Sequence, residues 1–345
     1  MKNAVKVKFV IIVLTAISVL CKEQGIMIIP IIILLRCVRE DISALTILKE
    51  VLIYIPFLFG ILLTRLWVMN FEPPKFQKGD NPTAFMESRF FRVINYQYIY
   101  LLNVYVIILP QWLCYDWAMG CISMISSITD PRFFMVIAFN FLVLCAILLK
   151  LRTRSNFRKP IFVSLIMGLM PFLPCSNILF TVGFVIAERN LYMPILGYAI
   201  FLAYNFNNLK KLKILSKRIS SSQLFYFVII MFIMKSIHRG FEWKTETDLF
   251  ESGLKVCPNN GKIHYNLAKV STDIYKAEWH YKKAIELWPS YEHALNNLGN
   301  LLKNKGQFKE AENYLLKVIL CEKISSAVSF LKIKYRFKSI FLYRL

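Results

Sequence analysis

The residues best placed to do chemistry are charged ones set against apolar runs. Glu188-Arg189 falls at the edge of the apolar run 185–205, and Lys22-Glu23 occupies the short turn between the runs 5–20 and 26–36. Ionisable groups beside hydrocarbon are costly and usually mark a site. A guanidinium or ammonium there can hold an anion, and a carboxylate can hold a cation or accept a proton. The plain alternative is that Glu188 and Arg189 pair only with each other. Asp80 and Asp116 sit in turn-forming contexts and read as turn or capping residues. The four histidines, His238, His264, His280 and His293, are scattered, and no His/Cys spacing suits a metal.

The elements that must position these groups are long and apolar. The chain of 345 residues is 57% hydrophobic and 15% aromatic, with positive mean hydropathy, which is too apolar for an ordinary soluble domain. Spans are expected at about 5–20, 26–36, 51–69, 133–149, 161–179, 185–205 and 223–238. The basic start Lys2–Leu20 resembles a leader, but a second apolar run, Ile26–Leu35, follows at once, so the pair reads as a helical hairpin in the membrane. The loop 150–159 (Lys150, Arg152, Arg154, Arg158, Lys159) and the loop 206–222 (Lys210, Lys211, Lys213, Lys217, Arg218) carry no acid and are cytoplasmic by the positive-inside rule. Counting spans from them puts segment 70–132 and everything after residue 238 on the opposite, luminal side. That count requires Tyr98–Leu113, aromatic-rich and containing Pro110, to be an interfacial or re-entrant helix. The formal charge of +22 then reflects cytoplasmic loops, and with no basic groove bearing stacking aromatics, nucleic acid is excluded as a partner. Most of the eight cysteines lie in apolar runs as small core residues. Cys114 and Cys121, seven positions apart on the luminal side, are the candidate disulfide.

Beyond residue 238 the pattern changes to that of a water-soluble array of helical hairpins. Two units align with the 34-residue tetratricopeptide (TPR) pattern. Leu267, Ala268, Ala277, Tyr281, Ala284 and Pro289 fall in phase in unit 261–291, and Ala294, Leu298, Gly299, Gly306, Ala311 and Leu315 in unit 292–322. Gly299 allows close approach of the paired helix, and Ala311 fills the tight crossing. A partial unit, 241–260, supplies Leu249, Phe250, Leu254 and Pro258. The concave face is expected to present His293, Asn296, Asn300 and Asn304 to an extended peptide backbone; the alternative is a solvated helix face. A basic tail, 323–345, follows.

With these pieces in order, a family resemblance emerges. The run from Asp80-Asn81-Pro82-Thr83 through Tyr115-Asp116-Trp117 to Asp130-Pro131-Arg132 resembles the luminal domain of the transmembrane and tetratricopeptide repeat-containing protein O-mannosyltransferases. The stretches Cys21–Gly25, Ala187–Pro194 and Lys255–Asn260 agree, as do order and topology. The resemblance implies an all-α fold: a polytopic, GT-C-like glycosyltransferase membrane domain (residues 1–238) followed by a luminal TPR α-solenoid. It implies an enzyme of the endoplasmic reticulum that moves mannose from dolichyl-phosphate-mannose, a substrate and not a cofactor, to Ser or Thr of a luminal protein. Arg189, Glu188, Lys22 and Glu23 are then candidates for donor binding. The family's catalytic acid lies in a first luminal loop that the resemblance places upstream of residue 1, so the catalytic residue is not assigned within this chain. The competing reading is a non-catalytic, membrane-anchored TPR scaffold for luminal clients. A transporter is disfavoured by the lack of an inverted repeat.

Overall fold

A computed structural model of the chain describes residues 2–40, 43–72, 74, 76–152, 159–212 and 221–320. It is all-helical, with no strand among the described residues. Two compact units form: Met1–Leu113 with Met124–His238, and Cys114–Ser123 with the residues from Arg239 onward. Arg154, Arg158, Lys213, Lys217, Arg218 and the basic tail 323–345 lie outside the described residues.

The first unit holds α1 (Lys2–Cys21), α2 (Ile28–Glu40), α3 (Ala44–Val68), α4 (Arg89–Ile108), α5 (Pro131–Arg152), α6 (Lys159–Leu169), α7 (Tyr192–Leu212) and the start of α8 (Ser221–Glu242). Leu45–Val68 and Ser222–Glu242 are long and apolar enough to cross a bilayer, while Pro131–Cys145 and Tyr192–Phe206 are shorter apolar helices. Phe59, Leu62 and Leu66 of α3 and Ile230, Met231 and Met234 of α8 are exposed, an outward surface that suits hydrocarbon. Prolines decide several helix ends. The run expected to span 161–179 is helical only to Leu169, because Pro171 and Pro174 withhold the N–H groups a continuing helix needs. The run expected at 185–205 becomes α-helical only at Tyr192, where Pro194 fits the first turn. The expected Tyr98–Leu113 helix starts earlier, at Arg89, where Ser88 caps the Phe91 N–H, and stops at Ile108; Leu109, before Pro110, is extended, as that position demands.

The second unit stacks α9 (Glu246–Val256), α10 (Gly261–Val270), α11 (Ile274–Leu287), α12 (Glu292–Asn304) and α13 (308–320). Side-chain caps at Thr245, Asn260 and Asp273 satisfy the first amides of α9, α10 and α11. Ala268, Ala277, Tyr281, Leu298, Leu302 and Ala311 form one buried cluster. Small residues set the helix spacing: a Cβ on Gly299 would stand 2.8 Å from the Leu315 side chain.

The residues 114–123, which lie between α4 and α5 in sequence, fold with these hairpins. Ala118 and Met119 are buried with Ala284, Tyr291 and Ala294. Gly261 N–H donates to Met119 O at 3.3 Å, Asn260 Nδ2 to Asp116 O at 2.9 Å, and Asn266 Nδ2 to the Tyr115 hydroxyl at 2.9 Å. Asp116 keeps its expected turn role, accepting from Ala118 N–H at 2.9 Å, and also pairs with Lys262 at 2.7 Å. At Gly120, with φ +90°, a Cβ would meet Asn259 O at 2.9 Å, so only glycine fits both the backbone and the space. The disulfide is Cys121–Cys257, with Cα atoms 4.8 Å apart. This corrects the expected Cys114–Cys121 pair. Cys114 is buried outside the disulfide, its Sγ 3.1 Å from Asp116 O, because the segment turns Cys114 towards Gly253 of α9 and Cys121 towards Cys257 just after it. Non-reducing peptide mapping should therefore link the Cys121 peptide to the Cys257 peptide. Cys257→Ser should destabilise this unit by about 2–5 kcal/mol, read as earlier melting and faster amide exchange in α9 and α10.

Candidate functional site

Close packing of α6 on α7 shapes the first unit's site. Ser164 Oγ donates to Gly197 O at 2.9 Å, and a Cβ on Gly197 would collide with the Gly168 and Ser164 backbone. The short 3-10 turns Leu173–Cys175 and Glu188–Asn190, after α6 and before α7, both reach a cavity of about 670 Å³. The turn after α1 reaches it too, kept tight by Gly25 lying against Ser18.

Lys22, Glu23, Arg65, Arg189 and Asn190 line this cavity, and Met69, Phe76, Phe180 and Phe184 make much of the remaining wall apolar. Three of the four sequence candidates thus converge, although Lys22 and Arg189 are 167 positions apart. Glu188 is not part of the wall. Arg65 was missed, although it carries the signal that singled out Arg189: an ionisable residue at the end of an apolar run. Its guanidinium donates to Val19 O at 2.7 Å and pairs with Glu23. Lys22 Nζ donates to Asn190 Oδ1 at 2.7 Å. Arg189 is exposed and forms no hydrogen bond or ion pair with the described residues, so the expected alternative, pairing with Glu188, is not what holds it. The wall carries three cations and one carboxylate, and that carboxylate is committed to Arg65. Such a site can bind an anion attached to an apolar body.

In the second unit a groove of about 380 Å³ is lined by Ile274, Tyr281, Asn297, Asn300, Asn304 and Lys305, among others. Of the four residues expected on the concave face, Asn300 and Asn304 line this groove. His293 and Asn296 are exposed but do not line the groove. Asn297 takes the place of Asn296, donating to the Tyr265 and Tyr281 hydroxyls at 3.2 and 3.4 Å. The i, i+4, i+7 spacing from His293 selects Asn297, whereas i+3 selects Asn296; helix rotation decides between them.

Between α10 and α11 the fold pairs two histidines that look unrelated in sequence. His264 Nε2 donates to Pro258 O at 3.1 Å, so its Nδ1 accepts from His280 Nδ1 at 3.0 Å. Burial, with His264 and Lys276 adjacent, holds the His280 imidazole down at about 4, and burial also lowers His264. An unfolded histidine titrates near 6.5, so below that pH the unfolded chain takes up protons that the folded unit refuses. The stabilisation is complete above about pH 6.5 and is lost as pH falls towards 4. Amide exchange in α10 and α11 should therefore be faster at pH 5 than at pH 7.5 after correction for intrinsic rates, and His280→Phe should flatten that dependence.

A helical chain with two helices long and apolar enough to cross a bilayer and a cation-lined, partly apolar cavity fits the class of membrane-associated proteins. Residues 70–144 match the family described as Protein O-mannosyl-transferase TMTC, DUF1736. The chain is 42% identical over 288 residues to Protein O-mannosyl-transferase F38B6.6 of Caenorhabditis elegans, covering 83% of this chain and 39% of that protein. It is 40% identical over 220 residues to Protein O-mannosyl-transferase TMTC4 of Homo sapiens (62% and 29%) and 35% identical over 272 residues to Protein O-mannosyl-transferase TMTC1 of Mus musculus (76% and 28%). No solved structure matches. The chain is a relative of the TMTC protein O-mannosyl-transferases, as its sequence resemblance implies, and spans 28–39% of the length of these three relatives.

Proposed function

We propose that this chain forms the donor-binding and acceptor-presenting parts of a protein O-mannosyltransferase of the endoplasmic reticulum membrane. The donor is dolichyl-phosphate-mannose and the acceptor a Ser or Thr hydroxyl of a luminal protein. The observation that carries the reading is the Arg189 guanidinium, without a hydrogen bond or ion pair among the described residues, in a cavity that also holds Lys22. Cations placed at a departing lipid phosphate stabilise the charge that develops there as the glycosidic bond breaks. The apolar walls suit the first isoprene units. Glu23, committed to Arg65, acts here by holding the cavity together. The luminal hairpins are tetratricopeptide repeats, and Asn297, Asn300 and Asn304 hold the acceptor's extended backbone. A membrane-anchored scaffold, the competing class, would bind clients without binding donor.

Binding of radiolabelled dolichyl-phosphate-mannose to the purified chain tests this directly. Arg189→Gln should weaken it about tenfold or more, the scale of one lost charge-assisted contact. Undiminished binding by a folded Arg189→Gln variant, or client capture by a wild-type chain that binds no donor, would remove the donor site. Protease added outside sealed microsomes should leave the residues from Arg239 onward intact if the hairpins are luminal.

A further inference from the structure

The cavity holds its cations in two different ways. Arg65 is pinned by a carboxylate and a carbonyl, Glu23 and Val19, so its charge is largely cancelled in place. Lys22 is exposed, on a long flexible stem, and its ammonium is met at 2.7 Å by a neutral amide oxygen, that of Asn190. Asn190 itself is only 5% exposed. It is fixed by the three-residue turn that carries Arg189, with its backbone N–H donating to Ala187 O at 2.9 Å. One turn therefore presents Arg189 and tethers Lys22, which arrives from a segment 168 positions away.

An amide acceptor and a carboxylate acceptor differ in a way that matters at an anion site. Both fix a lysine and reduce the rotamer entropy lost on binding. Only the amide does so without cancelling the positive charge, and the ammonium keeps two of its three donors free. A site that needed only mechanical linkage between these two turns would be served at least as well by Asp, through a stronger charge-assisted bond.

We infer that Asn190 is a positioning residue for a polyprenyl-phosphate group: it holds the Lys22 ammonium beside Arg189 while leaving its charge for the phosphate. The inference rests on the cavity being the donor site proposed above and names a residue through which that site works.

The test uses the full chain in detergent micelles with citronellyl phosphate as probe and citronellol as its uncharged counterpart, and melting temperature is followed for each variant. Wild type binds the phosphate over the alcohol. Asn190→Ala, which frees Lys22, weakens binding about threefold, and Asn190→Asp, which keeps the tether but cancels the charge, weakens it about tenfold. Neither variant changes discrimination by altering citronellol binding. A purely structural role for Asn190 gives the reverse order, with Asp closest to wild type, and that result overturns the inference alone. Wild type that does not distinguish the phosphate from the alcohol overturns the cavity reading and this inference with it. If Asn190→Asp fails to fold, Lys22→Gln at the exposed end of the same contact decides: about tenfold weaker binding supports the inference, and wild-type affinity overturns it.

Discussion

The hairpin unit depends on ten residues that come from elsewhere in the chain. Residues 114–123 add to its core: Ala118 and Met119 enter the buried layer with Ala284 and Ala294. Tyr115 packs against Phe250 with ring centroids 5.2 Å apart, and its burial pushes the phenol well above the usual range, consistent with a neutral hydroxyl accepting from Asn266. The disulfide closes a loop of 136 residues, and in the chain-entropy account a long loop is where a crosslink constrains the unfolded state most. Polar pairing to Asn260 and Lys262 then fixes register, so the segment docks in one way.

In the first unit the governing constraint is how charge is kept beside apolar walls. A buried or half-buried ion needs a partner, and the choice of partner determines whether the ion remains useful. Arg65 with Glu23 behaves as structure. Lys22 with Asn190, and Arg189, which has no hydrogen bond or ion pair among the described residues, keep their charge for the site proposed above. The same principle applies in the hairpins, where Lys305 is paired with Glu278 and stacked on Tyr275 at 4.8 Å. The groove beside it is accordingly an amide-lined surface with little free charge, suited to peptide backbone more than to an anion.

Much of this was legible in the residues, for identifiable reasons. The small residues Ala277, Ala284, Gly299 and Ala311 announce helix crossings: the three alanines are buried, and a side chain at Gly299 would meet Leu315. The apolar runs of α3 and α8 are long enough to cross a bilayer, and Pro110 marks the end of α4. The helix ends near Pro171 and Pro194 were misplaced because hydropathy continues across residues whose backbone cannot. Asn297 was missed by a single step around one helix turn.

The sequence by itself determined the helices, the change in hydropathy near residue 238 and the kinship, because periodicity, run length and local motif are short-range properties of the chain. Tertiary structure alone decided which distant residues meet. Cys121 with Cys257, Lys22 with Asn190 and His264 with His280 are all contacts between separate elements. Their pairing follows from how helices pack and turn in space, which no local spacing encodes.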